Sequence, residues 1–420
     1  MKKALLNVAL AAVIFAGCKS SNDDPAPVES KPVVQEAVSG QVSGVWTKGG
    51  TYKITGHLEI PAGKSLTIEE GVTVLMNDSV VKPEIVVRGN LYSLGTTQAP
   101  VKFTVPDAWK IAKNEFGQLW GGIIADKTTT ELVLQNTVLE YGGAVTTEAS
   151  PSVKAGLYKA AAGERVPVVY FPNVNGQFVV TNSTIRNFYE DGFYIEGGKV
   201  IIANSVFHTT GIANGDAINI KSGVQADVAF NLIYSPNTNG LKLSNSGDRT
   251  PQAYVIGYNN TIVNAGWRRP TTKGGSIWLE KTVHADLYNN LLANDRYGIK
   301  RDKGAPEDNR SKISNTFYYG FSADAVAQFQ PSAEILAGTG DVISAKAGEN
   351  DPKFVNYPLN TALTNATFNT SWDFHLQTGS PALGKGTTGF TRHFANGLTL
   401  NGITYKSPEP ATYIGAFGTK

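Results

Sequence analysis

Seven segments of this chain repeat one pattern, an Asn that closes a short strand-like run and opens an apolar one. They are Asn136-Thr-Val-Leu139, Asn182-Ser-Thr-Ile185, Asn204-Ser-Val-Phe207, Asn231-Leu-Ile-Tyr234, Asn260-Thr-Ile-Val263, Asn290-Leu-Leu-Ala293 and Asn315-Thr-Phe-Tyr318. From Asn182 onward the steps are 22, 27, 29, 30 and 25 residues. Such unequal steps suit a coil whose strands are fixed and whose loops vary. An Asn at the same corner of every turn is expected to stack on its neighbours, its amide bonding along the axis and to the bent backbone.

A second strand follows each corner, and its copies align. They are Gly192–Glu196, Ala217–Lys221, Gly240–Ser244, Ser276–Glu280 and Gly298–Asp302. Alternation sends Phe193, Ile218, Leu241, Ile277 and Ile299 to one face, where Ile195, Ile220, Leu243 and Leu279 join them. Stacked, they make a continuous apolar interior. Arg301 interrupts that inward column, so the register or the strand is expected to change there. The pattern reads as an all-β parallel β-helix, a solenoid. An antiparallel sandwich would also show many short strands, but its two-residue hairpin turns are scarce between the aligned segments.

Composition agrees. Gly 44 and Pro 20, with abundant Asn and Thr, point to short strands joined by turns. Helical periodicity is nearly absent, and only Ala323 to Ile335 suggests a helical turn or two. The formal charge of +2 carries no nucleic-acid footprint. Ala144 to Pro172 breaks the repeat spacing and is expected to be a loop insertion, of the kind that walls a groove on such coils.

Trp46–Tyr52, Leu58–Ile68, Gly71–Leu75 and Trp120–Ile123 resemble the opening coils of the right-handed parallel β-helix proteins of the pectin-lyase-like superfamily. Asp351–Val355, Asp373–Leu376 and Gly379–Gly384 resemble a closing segment common in them. The resemblance covers residues 39–420 and implies a right-handed single-stranded parallel β-helix, with a structural closing segment near 349–420 that covers the solenoid end.

The N-terminus is different in kind. Lys2 and Lys3 precede an apolar stretch from Ala4 to Ala16, too short to span a bilayer as a mature helix. It ends in Phe15-Ala16-Gly17-Cys18, which resembles the lipobox of bacterial lipoprotein precursors. The resemblance implies residues 1–17 as signal peptide, acylation of Cys18 with palmitate-type chains, and membrane attachment through lipid alone. Residues 18–38 read as a flexible tether. Asp23-Asp24 within it resembles the acidic export signal of Bacteroidetes lipoproteins and implies the outer membrane, at the cell surface. Cys18 is the only cysteine, so no disulfide framework is available. A monomer is expected.

Chemistry is expected on the outward side of the aligned strand. One column reads Tyr194, Asn219, Lys242, Trp278 and Lys300, and its neighbour Glu196, Lys221, Ser244, Glu280 and Asp302. Five rungs at about 4.8 Å span roughly 19 Å, enough for several units of a polysaccharide or oligosaccharide. Tyr194, Glu196, Asn219 and Trp278 are the candidate ligand-binding residues. Glu280 and Asp302, on adjacent rungs, are a candidate carboxylate pair for hydrolysis. Lys221, Lys242 and Lys300 are candidate bases for a lyase, with Asp216 placed to help hold Ca²⁺.

Ser235-Pro-Asn-Thr-Asn-Gly240 resembles the Ser-Pro-Asn-Thr-Asp-Gly strand of polygalacturonases, but Asn239 stands where their essential Asp does. Gly215-Asp216-Ala217 likewise lacks one acid of their Gly-Asp-Asp, and no Gly-His-Gly occurs. The departures argue against that activity. His57, His208, His284, His375 and His393 are isolated, and no Gly-x-Ser-x-Gly elbow is present. Three readings stay open: a glycan-binding surface lipoprotein, a polysaccharide lyase or (less favoured) another carbohydrate-active enzyme, and an adhesive protein with a protein partner.

Overall fold

The computed structural model describes residues 32–158, 161–212, 214–271 and 274–420. Cys18, the signal-peptide stretch and most of the expected tether lie outside the described residues. The remainder is a right-handed parallel β-helix. One face is a ten-stranded parallel sheet running from Gly44–Trp46 to Lys312–Ser314. Two further parallel ladders, joined through the long strand Thr51–Ile60, complete the coil.

The inward columns are where the alternation puts them. Phe193, Ile218, Leu241, Ile277 and Ile299 sit in one buried core with Ile195, Ile220, Leu243 and Leu279. Parallel pairing in register stacks like on like, so the core is a column of Ile, Leu, Val and Phe.

The corner differs from the expectation by one residue. Thr184 pairs with Val206 and Val206 with Leu232, which sets Asn182 beside Phe230 and Ser183 beside Asn231. Two columns therefore exist where one was read. Asn136, Asn182, Asn204, Phe230, Asn259, Asn289 and Asn315 all have positive φ, between 44° and 55°, and turn the chain. Asn tolerates this left-handed region better than other residues with a Cβ. The next residue of each turn points inward as Thr137, Ser183, Ser205, Asn231, Asn260 and Asn290. These bond along the axis: Asn260 Oδ1 accepts from Asn231 N at 3.1 Å and from Asn231 Nδ2 at 3.0 Å, and Asn290 Oδ1 accepts likewise from Asn260.

Arg301 marks the end, as its place in the column suggested. Leu279 still pairs with Arg301, whose guanidinium turns out to Glu307, with Nε at 3.0 Å. The next partner, Ile335–Leu336, runs antiparallel. The helix Ala323–Gln328 starts at Ser322, whose Oγ accepts from Ala325 N, and lays Val326 and Phe329 against the last core layer.

Three expected boundaries shift. The strand Val34–Gln41 pairs with Thr51–Ile60, so residues 34–38 belong to the coil and not to the tether. Its side chains are mostly exposed, and backbone bonds hold it, which composition does not register. The insertion ends earlier than expected, because Val169–Phe171 is an ordinary rung between Ile123–Ala125 and Phe193–Ile195. The C-terminal segment does not cap the end. Phe354, Tyr357, Phe374, Leu376 and Ile414 pack on the outer side of Tyr234, Val263, Leu291 and Phe317, while Phe394, Leu398 and Tyr405 cover Val133, Val179 and Ile201. These outward strand positions are apolar, and the returning chain is what buries them.

Candidate functional site

The outward column forms as aligned. Tyr194 pairs with Asn219, Asn219 with Lys242, Lys242 with Trp278 and Trp278 with Lys300. It is not an open face, however. Trp278 is 4% exposed and Asn219 3%. The column instead floors a cleft of about 300 Å³. Tyr194, Asn219, Lys221, Lys242, Trp278 and Asp216 line it, joined by Glu190, Asp191, Asn239 and Arg269 among others.

Four expected site residues do not line the cleft. Glu196 accepts from Tyr170 Oη at 2.7 Å and from Arg249 Nη2 at 2.7 Å, a packing role on the strand edge. Glu280 accepts from Trp278 Nε1 at 2.9 Å. Burial opposes its charge, but that bond, Lys242 and Lys221 together hold the carboxyl below its ordinary range. Asp302 Oδ1 accepts from Gly304 N at 2.9 Å and closes a turn. Lys300 lies 3.8 Å over the Tyr297 ring and 3.6 Å from Glu334. Glu280 and Asp302 therefore do not meet over the cleft as a catalytic pair. Asp302 stays on the adjacent rung, its N donating to Leu279 O at 2.8 Å, but neither carboxylate lines the cleft.

A different carboxylate pair occupies the centre. Asp191, Asp216 and Asn239 form the column just upstream of the paired strands, where each chain leaves its corner. Gly215 makes the approach, with φ +88° and an alanine Cβ there falling 2.6 Å from Gly211 Cα. Asp191 Oδ1 accepts from Asp216 N at 2.9 Å and Gly215 N at 3.2 Å. Asp216 Oδ1 accepts from Asn239 N at 3.1 Å and Asn239 Nδ2 at 2.6 Å. One nitrogen, Asn219 Nδ2, donates to Asp191 Oδ2 at 2.9 Å and to Asp216 Oδ2 at 3.1 Å. The two facing oxygens can be no farther apart than those two bonds laid end to end.

Burial, then the neighbouring charge of Asp191, pushes the Asp216 carboxyl up to about 7, against the pull of Lys242, Asn239 and Lys221. Both causes act the same way, since a low-dielectric site and a like charge this close each disfavour ionisation of Asp216. Lys242 Nζ stands 4.0 Å from Asp216 Oδ2. Burial would lower the Lys242 ammonium, but Asp216, Glu280 and Asp191 outweigh it and hold it above the usual range. Lys221 goes the other way, lowered by burial and by Lys242, and lies 5.5 Å over the Tyr194 ring.

This donor set does not fit Ca²⁺. Each Asp191 and Asp216 oxygen already accepts from an N–H donor, and the Lys242 ammonium supplies the counter-charge that a cation would bring. Among the described residues no cluster of three or more His, Cys, Asp and Glu is placed to hold a metal ion.

Sequence reading missed Glu190, Asp191 and Arg269. The signal was present: extending the aligned strands upstream gives Asp191, Asp216 and Asn239 as a column. Arg269 carried no such signal, because it reaches the cleft from a loop, where its Nη1 donates to Asn214 Oδ1 at 2.9 Å.

Comparison with known proteins gives the fold and little beyond it. Residues 169–329 match the family model described as right-handed beta helix region. No curated protein matches the chain. Among solved structures, a periplasmic alginate epimerase mutant is similar at 15% identity and a TM-score of 0.31, over 72% of this chain and 75% of that one. At that score the likeness carries no argument about chemistry.

Proposed function

We propose that this chain is a cell-surface lipoprotein, anchored in the outer membrane through Cys18, that binds a polysaccharide or oligosaccharide in the Asp191–Asp216 cleft and acts on it by acid–base chemistry. The observation that carries the reading is the aspartate pair bridged by Asn219 Nδ2, in a setting that pushes the Asp216 carboxyl up to about 7. Around it stand Tyr194, which offers ring surface to a sugar where Trp278 is largely buried, and Lys221, Lys242 and Arg269, which suit hydroxyls or a uronate carboxylate. In hydrolysis, Asp191 attacks the anomeric carbon as the glycosidic C–O bond breaks and protonated Asp216 gives its proton to the leaving oxygen; water, deprotonated by Asp216, then displaces Asp191 and releases the sugar. The short reach between the two carboxylates matches direct attack better than the wider spacing, about 6.5–9.5 Å, that leaves room for water.

The lowered pKa of Lys221 favours a second reading, β-elimination on a uronate. Lys221 would take the proton from C5, the electron pair would form the C4–C5 double bond, and the C4–O bond would break with Asp216 protonating the leaving oxygen. Lys242 and Arg269 would face the uronate carboxylate.

Incubation of the purified domain with neutral and acidic polysaccharides separates these readings. New reducing ends without unsaturated-uronate absorbance support hydrolysis, and absorbance lost in Lys221→Ala supports elimination. No binding to any glycan across the panel, with retention of a protein partner instead, would overturn both in favour of an adhesive role. For the anchor, Cys18→Ser should move the protein from the membrane fraction to the soluble one, and unchanged partition would refute it.

A further inference from the structure

The outward column does not begin at the cleft. Upstream of Tyr194 it continues through Tyr170, Ile124 and Val86, each in register with the next. On an open coil those rungs would extend the binding face toward the N-terminal end. Here the insertion lies on them: Leu157 and Val166 pack with Val86, Ile124 and Tyr170 in one buried cluster. Tyr158 then stands edge-on to both Tyr170 and Tyr194, with ring centroids at 5.4 and 5.2 Å, and lines the cleft.

The insertion is fixed in that position. Ser152 N and Oγ donate to the two oxygens of Glu84, at 3.0 and 2.9 Å, and Glu84 is itself buried on the coil. Its stem is closed by the Val145–Arg165 bridge and by Thr146 N donating to Glu164 O at 2.8 Å.

We infer that the cleft is blind at its Tyr158 end and receives the terminus of a glycan chain, so that the protein recognises chain ends or short oligosaccharides and not internal segments. The inference rests on the proposed glycan binding and sharpens it. A polymer lying along the ladder would have to pass through the space that Leu157, Tyr158 and Val166 fill. The cavity of about 300 Å³ sits at the low end of small-ligand sites, in keeping with a chain tip.

The test compares tetrasaccharides of cellulose, galacturonan and mannuronan in three forms, free, bearing a bulky fluorophore at the reducing end, and bearing one at the non-reducing end, by calorimetric titration. For whichever sugar binds, one labelled form should lose about tenfold or more in affinity while the other keeps it. The parent polymer should bind in proportion to its chain ends, not its sugar content. Tyr158→Ala, and a variant with residues 147–163 replaced by a short turn on the Val145–Arg165 stem, should each narrow the gap between labelled forms. Equal affinity for both labelled forms, or polymer binding that scales with sugar content, would overturn the blind end and leave glycan binding standing. Absence of binding by every sugar would instead remove the underlying reading. Tyr158→Ala keeps the test decisive if the excised variant fails to fold.

Discussion

Asp216 is the residue on which stability and chemistry meet. In the unfolded chain its carboxyl titrates near 3.9, and in the fold it is pushed up to about 7 by burial and by Asp191. Between those values the folded state keeps a proton that the unfolded state has released. Stability therefore falls as pH rises through that window, by at most about 1.4 kcal/mol per unit from this group, and levels off above it. Asp216→Asn should flatten that slope in chemical denaturation followed from pH 4 to 8, raise stability at the upper end, and abolish glycan turnover. An unchanged slope would mean that Asp216 is ionised throughout. The inner corner column carries a second prediction. Replacing Asn260 by Leu removes a shape-matched amide: the buried Asn231 N loses its acceptor and Val228 O a donor, while Asn231 Nδ2 keeps Ile202 O and Asn290 Oδ1 keeps the Asn260 backbone N–H. A loss of about 2–3 kcal/mol is expected in urea unfolding, because a buried backbone N–H is left without an acceptor and the amide ladder is interrupted. Asn182→Gly keeps the positive φ and should change stability by only a few tenths of a kcal/mol, whereas Asn182→Val should cost about 1–2 kcal/mol.

At the level of elements, the strands are set by alternation and the site by what lies across them. Five aligned strands gave the cleft floor, because a parallel ladder in register repeats each outward position at a fixed spacing. The walls come from irregular chain. The insertion is held by Glu84, so Glu84→Ala should speed proteolytic cleavage within residues 146–164 while leaving the thermal midpoint of the coil within a few degrees. A parallel drop of both would mean that the insertion and the coil unfold as one unit. Arg301 illustrates how one residue ends a ladder: a guanidinium cannot enter the apolar column, so it turns to Glu307, and the next partner in that ladder, Ile335–Leu336, runs antiparallel.

For the whole molecule, the coil depends on a segment far along the chain. Asp227 is fully buried and accepts from His393 N at 3.1 Å, Phe394 N at 2.9 Å and Ser407 Oγ at 2.6 Å. Asn289 Nδ2 adds a bond to Thr387 O at 2.8 Å. These hooks hold the returning segment over apolar strand faces that would otherwise be open to water. Asp227→Leu removes the acceptor and leaves three donors buried. It should release residues 386–407 to proteases and increase dye binding to exposed apolar surface, with a stability loss of about 3–5 kcal/mol. Retained protection of that segment would show that packing alone secures it.

The coil follows from residue order alone. Inward Ile, Leu and Phe at period two, repeated once per turn, leave no other way to bury every copy, and the strand register follows from Phe193, Ile218, Leu241, Ile277 and Ile299 alone. Residue order also marked the turn where the coil stops, since Arg301 has no place in that column. The corner and the site follow from strand pairing and packing. Asn182 and Asn231 look alike in sequence yet occupy different corner positions, because strand pairing and not residue identity fixes which one bends the chain and which one points inward. Asp191 reaches Asp216 through an amide from the next strand, and Tyr158 and Arg269 arrive from loops whose paths no periodicity records. Alternation tells a residue which face it takes; only the folded chain tells it what covers that face.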